Sequence, residues 1–522
     1  MGQETPKCAI IGAGPVGALA AIYAAKRGWD VQVYELRGDL REQGTVPLNF
    51  TKSINLALSE RGINAMRHSG PGELVDKVLA DTIPMYGRMI HGQDPQGALT
   101  EDAQLYDVHG RFIRAVDRAN LNSILLDQLE GLGNVKLNFH CKLTGADFTR
   151  KKAWFESTPN KSRPQTPGRE QAASPDRPKE FEIDFDILLG CDGAHSAARF
   201  HLMKYVRMDY DQKYIDVLWC EFTIPKASDL SELGAQTSPS AKDDFATSPN
   251  HLHIWPSADA MFIAIPSIDN TFTCTLFAPA AVFSRLEQSP DAVEPYFQTH
   301  FPGAAGLIGS QQLRLQFQRN PHLPLISIKC SPHHFEGSGV ILGDAAHAMV
   351  PFYGQGMNAG LEDVRVLFEH IDAAASQSAG TPTNEPIAYT SDKLADALQA
   401  YTKTRVPDAH TINDLALNNY WEMHAGVRSP LYLFRKRIEE FLSDKLPSTG
   451  FATQYSRVSF SNQRYSEVSK VVAEQGKLLF RGIIGSVVVP TAVLAAVWLG
   501  RADKGNRLRN ALRWWRDLWH GR

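Results

Sequence analysis

Cysteine is scarce in this chain, and charge is almost balanced. The six cysteines (Cys8, Cys141, Cys191, Cys220, Cys274, Cys330) are scattered over 522 residues without a CxxC pair. That pattern excludes a disulfide framework and fits a reducing compartment. Lysine and arginine number 54 against 57 acidic residues, a net charge of -3, which gives no electrostatic reason to expect a nucleic-acid partner. No internal repeat is present. His251 and His253 share a strand face without a third ligand, so no metal is expected. Met1 to Pro6 is short and polar and runs directly into an apolar strand, so no secretory signal is expected. Pro6 also stands where an N-myristoylation pattern wants Ser or Thr.

What is present is the length and composition of a globular protein. At 522 residues, 43% hydrophobic and 21% charged, the chain exceeds one growing core and predicts two or three domains. Lys7 to Glu35 reads as strand, helix, strand. Gly12, Gly14 and Gly17 form GxGxxG between the first strand (Cys8 to Ile11) and the helix (Ala18 to Lys26), and Glu35 ends the second strand (Val31 to Tyr34). The first glycine permits a tight turn, the second lets a pyrophosphate approach backbone, and the third lets helix pack on strand. Glu35 is placed to hold an adenosine ribose.

A second stretch, Gly339 to Val364, reads as a buried strand that hands its C-terminal end to a ligand. Asp344 can accept a hydrogen bond from a ribityl or ribose hydroxyl, and the backbone around Gly354 to Asn358 can approach a flat ring at a helix N-terminus. Between the two lies another apolar strand, Phe185 to Gly190, that leads into Asp192-Gly193. Trp219 to Ile224, His251 to Trp255, Met261 to Ile265 and Phe272 to Phe277 read as strands of a mixed sheet. Three polar stretches, roughly 157–180, 231–249 and 374–394, read as mobile surface insertions.

In their order and wide separation, the glycine fingerprint, the Asp192-Gly193 segment and the Gly343-Asp344 segment resemble the three signatures of the single-component flavin hydroxylases. That resemblance implies FAD as cofactor, with NADPH and O2 as cosubstrates and no separate NADPH domain. Arg118, at the head of an amphipathic helix, matches an arginine that touches the flavin. The expected fold is α/β, α+β overall: a Rossmann-like discontinuous FAD-binding domain (1–82, 112–205 and 325–373), a mixed-sheet substrate domain (83–111 and 206–324) and a C-terminal helical region (395–476).

The resemblance narrows through SINLALSERG (53–62), GRMIH (87–91), LHIWP (252–256), FTCTLF (272–277), the segment at 343–360 and NYWEM (419–423). It is to the branch of that family that hydroxylates L-kynurenine to 3-hydroxykynurenine, in tryptophan degradation and NAD biosynthesis, by way of a flavin C4a-hydroperoxide. Carried over residue by residue, Arg88, Tyr106, Asn419 and Tyr455 match amino-acid-binding residues. Ala57, Leu143, Asp344, Met357 and Asn358 match flavin contacts, beside Gly12, Gly14, Gly17, Glu35, Arg118 and Asp192. No residue is expected to act as nucleophile; Pro351 and Phe352 form an apolar wall, and Ala260 stands where a bulky aromatic is expected. Another aromatic hydroxylase or epoxidase, or a non-catalytic FAD-binding interaction protein, would share the flavin signatures alone.

The C-terminus carries its own signal. Gly482 to Gly500 is 19 residues without a charge, long enough as a helix to span about 28 Å, close to a bilayer's hydrocarbon core. Residues 501–522 hold seven Lys/Arg against two Asp, a net +5 that leaves -8 on the rest. Leu508, Leu512, Trp515 and Trp519 share one helical face there, as on an anionic membrane surface. The expectation is a C-terminal membrane helix with a basic amphipathic tail. The family resemblance adds the mitochondrial outer membrane, with the catalytic region in the cytosol.

Overall fold

A computed structural model describes residues 5–42, 55–70, 72–157, 179–230, 232, 236–376, 389–424, 430–479, 481 and 516. Two compact units divide the chain, Met1–Ser466 and Glu467–Arg522.

The first unit is framed by a six-stranded sheet in the order His334–Phe335, Gly339–Ile341, Ile187–Gly190, Lys7–Ile11, Asp30–Tyr34, Val135–Asn138. All its pairings are parallel except the short edge strand His334–Phe335. These strands are near-continuous apolar runs, as expected where both faces are covered. The helix Pro15–Lys26 packs on the sheet and between helices Arg118–Glu130 and Gly356–Ser376. Its alanines and glycine are buried all round, which is why it shows almost no amphipathic stripe. Proline at its first turn supplies a fixed φ where no intrahelical N–H is needed.

The second frame is a seven-stranded, mostly antiparallel sheet in the order Leu323–Ser331, Asp209–Ile224, Phe272–Ala278, Met261–Pro266, His251–Pro256, Gly87–Gln93, Leu99–Leu105. One face carries a core of Phe222, Trp255, Phe262, Phe272, Phe297 and Phe301 under a group of short helices from Ala280 to Arg319. The other face holds Arg88. A small sheet, Asn55–Leu58, Ile113–Asp117 and Thr82–Met85, stands between the two frames in the chain. The long helix Ser391–His424 packs along Gly356–Ser376 and against the segment Pro351–Tyr353.

One expected surface insertion is exposed at Gln236, Thr237, Pro239 and Ala241 to Asp243 but turns inward at its end. Within 236–249, Phe245, Ala246 and Thr247 are buried, the first two in the second core, and Ser238 Oγ donates to Thr247 Oγ1 at 2.8 Å. The stretch is polar enough to read as a loop, yet two apolar side chains and a hydroxyl network fold it inward. The other two insertions fall largely outside the described residues.

In the second unit, 467–479 is helical. The expected membrane segment, 482–500, and all of the tail except Arg516 lie outside the described residues. Among those described, no helix is long and apolar enough to cross a membrane.

Candidate active site

The glycine fingerprint divides its labour as its spacing demands. Gly12 has φ +98°, and a Cβ there would meet the Cys191 carbonyl oxygen at 2.5 Å; a Cβ on Gly17 would meet the Gly12 oxygen at 1.9 Å. Gly14 faces open space, with nothing within 4 Å of a Cβ. Two glycines therefore close the turn and the third leaves backbone bare for a pyrophosphate. Glu35 follows the second strand, where its carboxylate accepts the Ala13 and Arg37 N–H groups at 2.9 Å each.

Facing this turn, Gly343 (φ +58°) donates its N–H to Asp363 Oδ2 at 2.8 Å, and the chain enters the short helix Asp344–His347. Gly360 must be glycine for a packing reason: a Cβ would lie 2.7 Å from Val16 Cγ2 of the first helix. Asp344 itself is exposed. Burial pulls the Arg118 guanidinium pKa down, Asp344 and Glu35 oppose, and Arg37 reinforces, so these charges lie within electrostatic reach of one another. An open glycine notch, a carboxylate after the second strand, an exposed carboxylate at the third signature and Arg118 near both carboxylates fit FAD.

Two of the other expected cofactor residues, Asp192 and Asn358, also make hydrogen bonds within the protein. Asp192 accepts from Ser196 Oγ at 2.5 Å and from the Ala198 N–H at 3.0 Å, fixing the turn into helix Ala197–Leu202. Burial raises its pKa. Asn358 is fully buried; its amide donates to the Ala57 oxygen (2.7 Å) and the Gly354 oxygen (2.9 Å) and accepts from the Ser59 N–H (2.8 Å). That staple holds strand Asn55–Leu58 beside the Gly354 loop. Met357 is partly buried against the main core, and Leu143 is buried on strand Cys141–Asp147, an edge of a further three-stranded sheet with Lys152–Ser157 and Lys179–Asp184.

At the other end, Arg88, Tyr106 and Tyr455 meet. The tyrosine rings stack with centroids 4.8 Å apart and 14° between planes, and the Arg88 guanidinium lies 5.0 Å from the Tyr455 ring and 5.7 Å from the Tyr106 ring. Tyr106 ends in a buried hydroxyl that lies beside the Tyr455 hydroxyl and the Arg88 guanidinium. Burial pushes its pKa well up, Tyr455 adds to that and Arg88 opposes, so the hydroxyl remains a donor. Tyr353 stacks on Tyr455 at 5.8 Å.

Asn419 is one step removed: its amide donates to the Phe352 oxygen at 2.6 Å. It shapes the Pro351–Tyr353 segment, in which Pro351 is exposed and Phe352 packs against Tyr420 and Phe277. Ala260 is buried at a hairpin turn, where the neighbouring Asp259 oxygen accepts from the Tyr420 hydroxyl at 3.5 Å. Ala260 itself belongs to the second core, with Trp255, Phe262 and Phe301.

Sequence reasoning missed a buried ionic chain under the Gly343 segment. Glu362 accepts from Arg61 and Arg405 at 2.8 Å each; Asp363 accepts from Arg405 Nε at 2.5 Å and pairs with His347 Nε2 at 2.6 Å. The available signal was Glu362-Asp363 set between Leu361 and Val364 on a helix otherwise apolar there. Two adjacent acids on a buried helix face require cationic partners.

A doubly framed flavin-dependent monooxygenase is the class that this architecture and cradle define. The FAD binding domain family matches residues 4–400. The fold is similar to the solved structure of P. aeruginosa PqsL in complex with 2-aminobenzoylacetate (TM-score 0.57, 16% identity, 81% of this chain and 97% of that one). It is equally similar to 2-methyl-3-hydroxypyridine-5-carboxylic acid oxygenase (TM-score 0.57, 18% identity, 82% and 96%). Among curated relatives, kynurenine 3-monooxygenase of Neurospora crassa is 56% identical over 94% of this chain and 92% of its own length. That of Aspergillus terreus is 55% identical over 100% of both. The chain belongs to the kynurenine 3-monooxygenase family.

Proposed function

We propose that the protein hydroxylates L-kynurenine to 3-hydroxykynurenine, consuming NADPH and O2. The observation that carries this reading is Arg88 set against the stacked Tyr106–Tyr455 pair in a chain 56% identical to a kynurenine 3-monooxygenase. The chemistry supplied by bound FAD is NADPH oxidation and O2 activation: one oxygen atom enters the ring ortho to the aniline nitrogen and the other leaves as water. That nitrogen already enriches the ring carbon, so the protein needs no nucleophile. Its residues bind, orient and exclude water. Arg88 grips the amino-acid carboxylate with paired hydrogen bonds, and the Tyr106 hydroxyl lies beside it. Pro351 and Phe352, backed by Asn419, wall the aromatic end. Glu35, Arg118 and Asp344 hold FAD, with Gly12, Gly14 and Gly17 under its pyrophosphate. The six-stranded frame serves the cofactor and the seven-stranded frame the substrate. The test is product analysis with purified enzyme: 3-hydroxykynurenine forming with NADPH oxidation supports the reading, and NADPH oxidation without it refutes it.

A C-terminal membrane anchor at 482–500, at the mitochondrial outer membrane with the catalytic region in the cytosol, completes the proposal. What supports it is the uncharged 19-residue stretch, the +5 tail with its Leu508, Leu512, Trp515, Trp519 face, and the family resemblance. Truncation after Gly476 is expected to yield FAD-loaded protein that needs no detergent. Full-length protein that fractionates as soluble without detergent contradicts the anchor.

A further inference from the structure

Beside the tyrosine pair, one residue further along each segment, lies a second set of contacts with no part in the reading above. Asp107 follows Tyr106 and Ser456 follows Tyr455, and the two meet: Ser456 Oγ donates to Asp107 Oδ1 at 3.0 Å. Arg111 Nη2 donates to both, at 2.7 Å to Asp107 Oδ1 and 2.8 Å to Ser456 Oγ, while its Nε reaches Asp107 Oδ2 at 3.0 Å. The His109 N–H adds a fourth donor to the carboxylate at 2.9 Å. The proton bookkeeping closes, since the serine hydroxyl donates once and accepts once. Asp107 and Ser456 are buried; the Arg111 side chain is 43% exposed and lies 5.2 Å from the Phe460 ring.

We propose that Asp107, Ser456 and Arg111 are positioning residues that set the Tyr106–Tyr455 spacing and so the affinity for the substrate's amino-acid end. The clamp joins positions 349 residues apart in sequence, one next to the seven-stranded sheet and one on helix Gln454–Phe460. On its far side that helix is tied by Arg61 Nε to the Val458 oxygen at 2.8 Å. Two tethers of different kind thus hold the helix: the buried arginine fixes its seat, and the Asp107 clamp fixes how closely Tyr455 approaches Tyr106. A stacked aromatic pair and a guanidinium over it form one recognition surface only while that spacing holds.

The clamp rests on the kynurenine reading for its ligand, and wild-type turnover of L-kynurenine is measured first and judges that reading separately. The clamp is judged on variants of the full-length FAD-loaded enzyme, Ser456→Ala and the half-exposed Arg111→Lys, with Ser456→Thr as the conservative rescue. Loss of one such hydrogen bond is expected to raise the KM and Kd for L-kynurenine about tenfold, with kcat within about twofold and bound FAD unchanged. Binding of 2-aminoacetophenone, which keeps the aminophenyl ketone and lacks the amino-acid end, is expected not to change, and Ser456→Thr is expected to recover most of the loss. Equal weakening of both ligands, or an unchanged KM in both Ser456→Ala and Arg111→Lys, overturns the proposal.

Discussion

Arg61 and Arg405 hold opposite oxygens of one carboxylate, Glu362, at 2.8 Å each, and all three side chains are buried. The chain continues at both ends. Arg61 reaches the backbone of Val458 and Gln463 next to the Tyr455 helix, and Arg405 reaches Asp363, which takes the Gly343 N–H and pairs with His347. Arg365 also lies 3.5 Å from Glu362 Oε1 and is shared with the more exposed Glu369, so each buried carboxylate is met by cations and its burial is tolerable only while those partners stay.

Removing one partner is therefore expected to be costly. Arg405→Met leaves Glu362 and Asp363 short of a cation and should destabilise the first unit by about 3–5 kcal/mol. Urea unfolding measures it, and a change below about 1 kcal/mol would show that the network is not needed for stability.

At the cofactor, Asp344→Ala removes a charge-assisted hydrogen bond of roughly 1.5–3 kcal/mol. FAD affinity measured by fluorescence titration should fall about tenfold to a hundredfold. Unchanged affinity would remove Asp344 from the cofactor site.

These two predictions differ in how visible their residues are in the sequence. The fingerprint at Gly12, Gly14 and Gly17 is legible because local backbone mechanics dictate its spacing, and Asp344 is legible because it terminates an apolar strand. Arg88, Tyr106 and Tyr455 come from regions far apart in the chain, so only resemblance gathers them. Asn358 matched a flavin contact, but its side chain turns inward as a staple, and direction of that kind is not written in composition. Arg61 and Arg405 look like ordinary surface charges on helices until their acidic partners are placed. Phe245 and Ala246 show the converse, two apolar residues that fold a polar loop inward.

Acid should lower the stability of the first unit through its buried histidines first and its paired carboxylates below them. Burial pulls the His253 pKa down to about 4, with Ser248's carbonyl opposing and His251 adding to the depression. The unfolded histidine, with a pKa of about 6.5, binds protons first, so stability declines by up to about 1.4 kcal/mol per pH unit as pH falls from 6.5 toward 4. Below about pH 4 a second loss sets in. Burial raises the Asp107 and Asp363 carboxyls, but Arg111, the His109 N–H and Ser456 at the first, and His347 and Arg405 at the second, override it and leave both lowered. Their stabilisation is complete above the unfolded carboxyl value and is lost as pH falls through the folded one. Burial also holds the His333 pKa down to about 3 and the His91 pKa down to about 2, so His253→Gln should make this decline shallower by one group's share and not abolish it. A stability profile flat from pH 6.5 to 4 in wild type contradicts this assignment.

For Arg88, the expected signature separates substrate from cofactor. Arg88→Ala should cost roughly 2–5 kcal/mol in kcat/KM for L-kynurenine while the flavin spectrum stays unchanged. Arg88→Lys should recover only part, because an ammonium cannot make the paired planar contact. Loss of bound flavin in Arg88→Ala would make the residue structural.

The most direct measurement is the product formed by purified wild-type enzyme given NADPH, O2 and L-kynurenine, compared with a phenolic acid in place of kynurenine. The expected result is 3-hydroxykynurenine in step with NADPH oxidised, and little oxidation with the phenolic acid. Ready NADPH oxidation with the phenolic acid, and no hydroxylated product from kynurenine, would contradict the account.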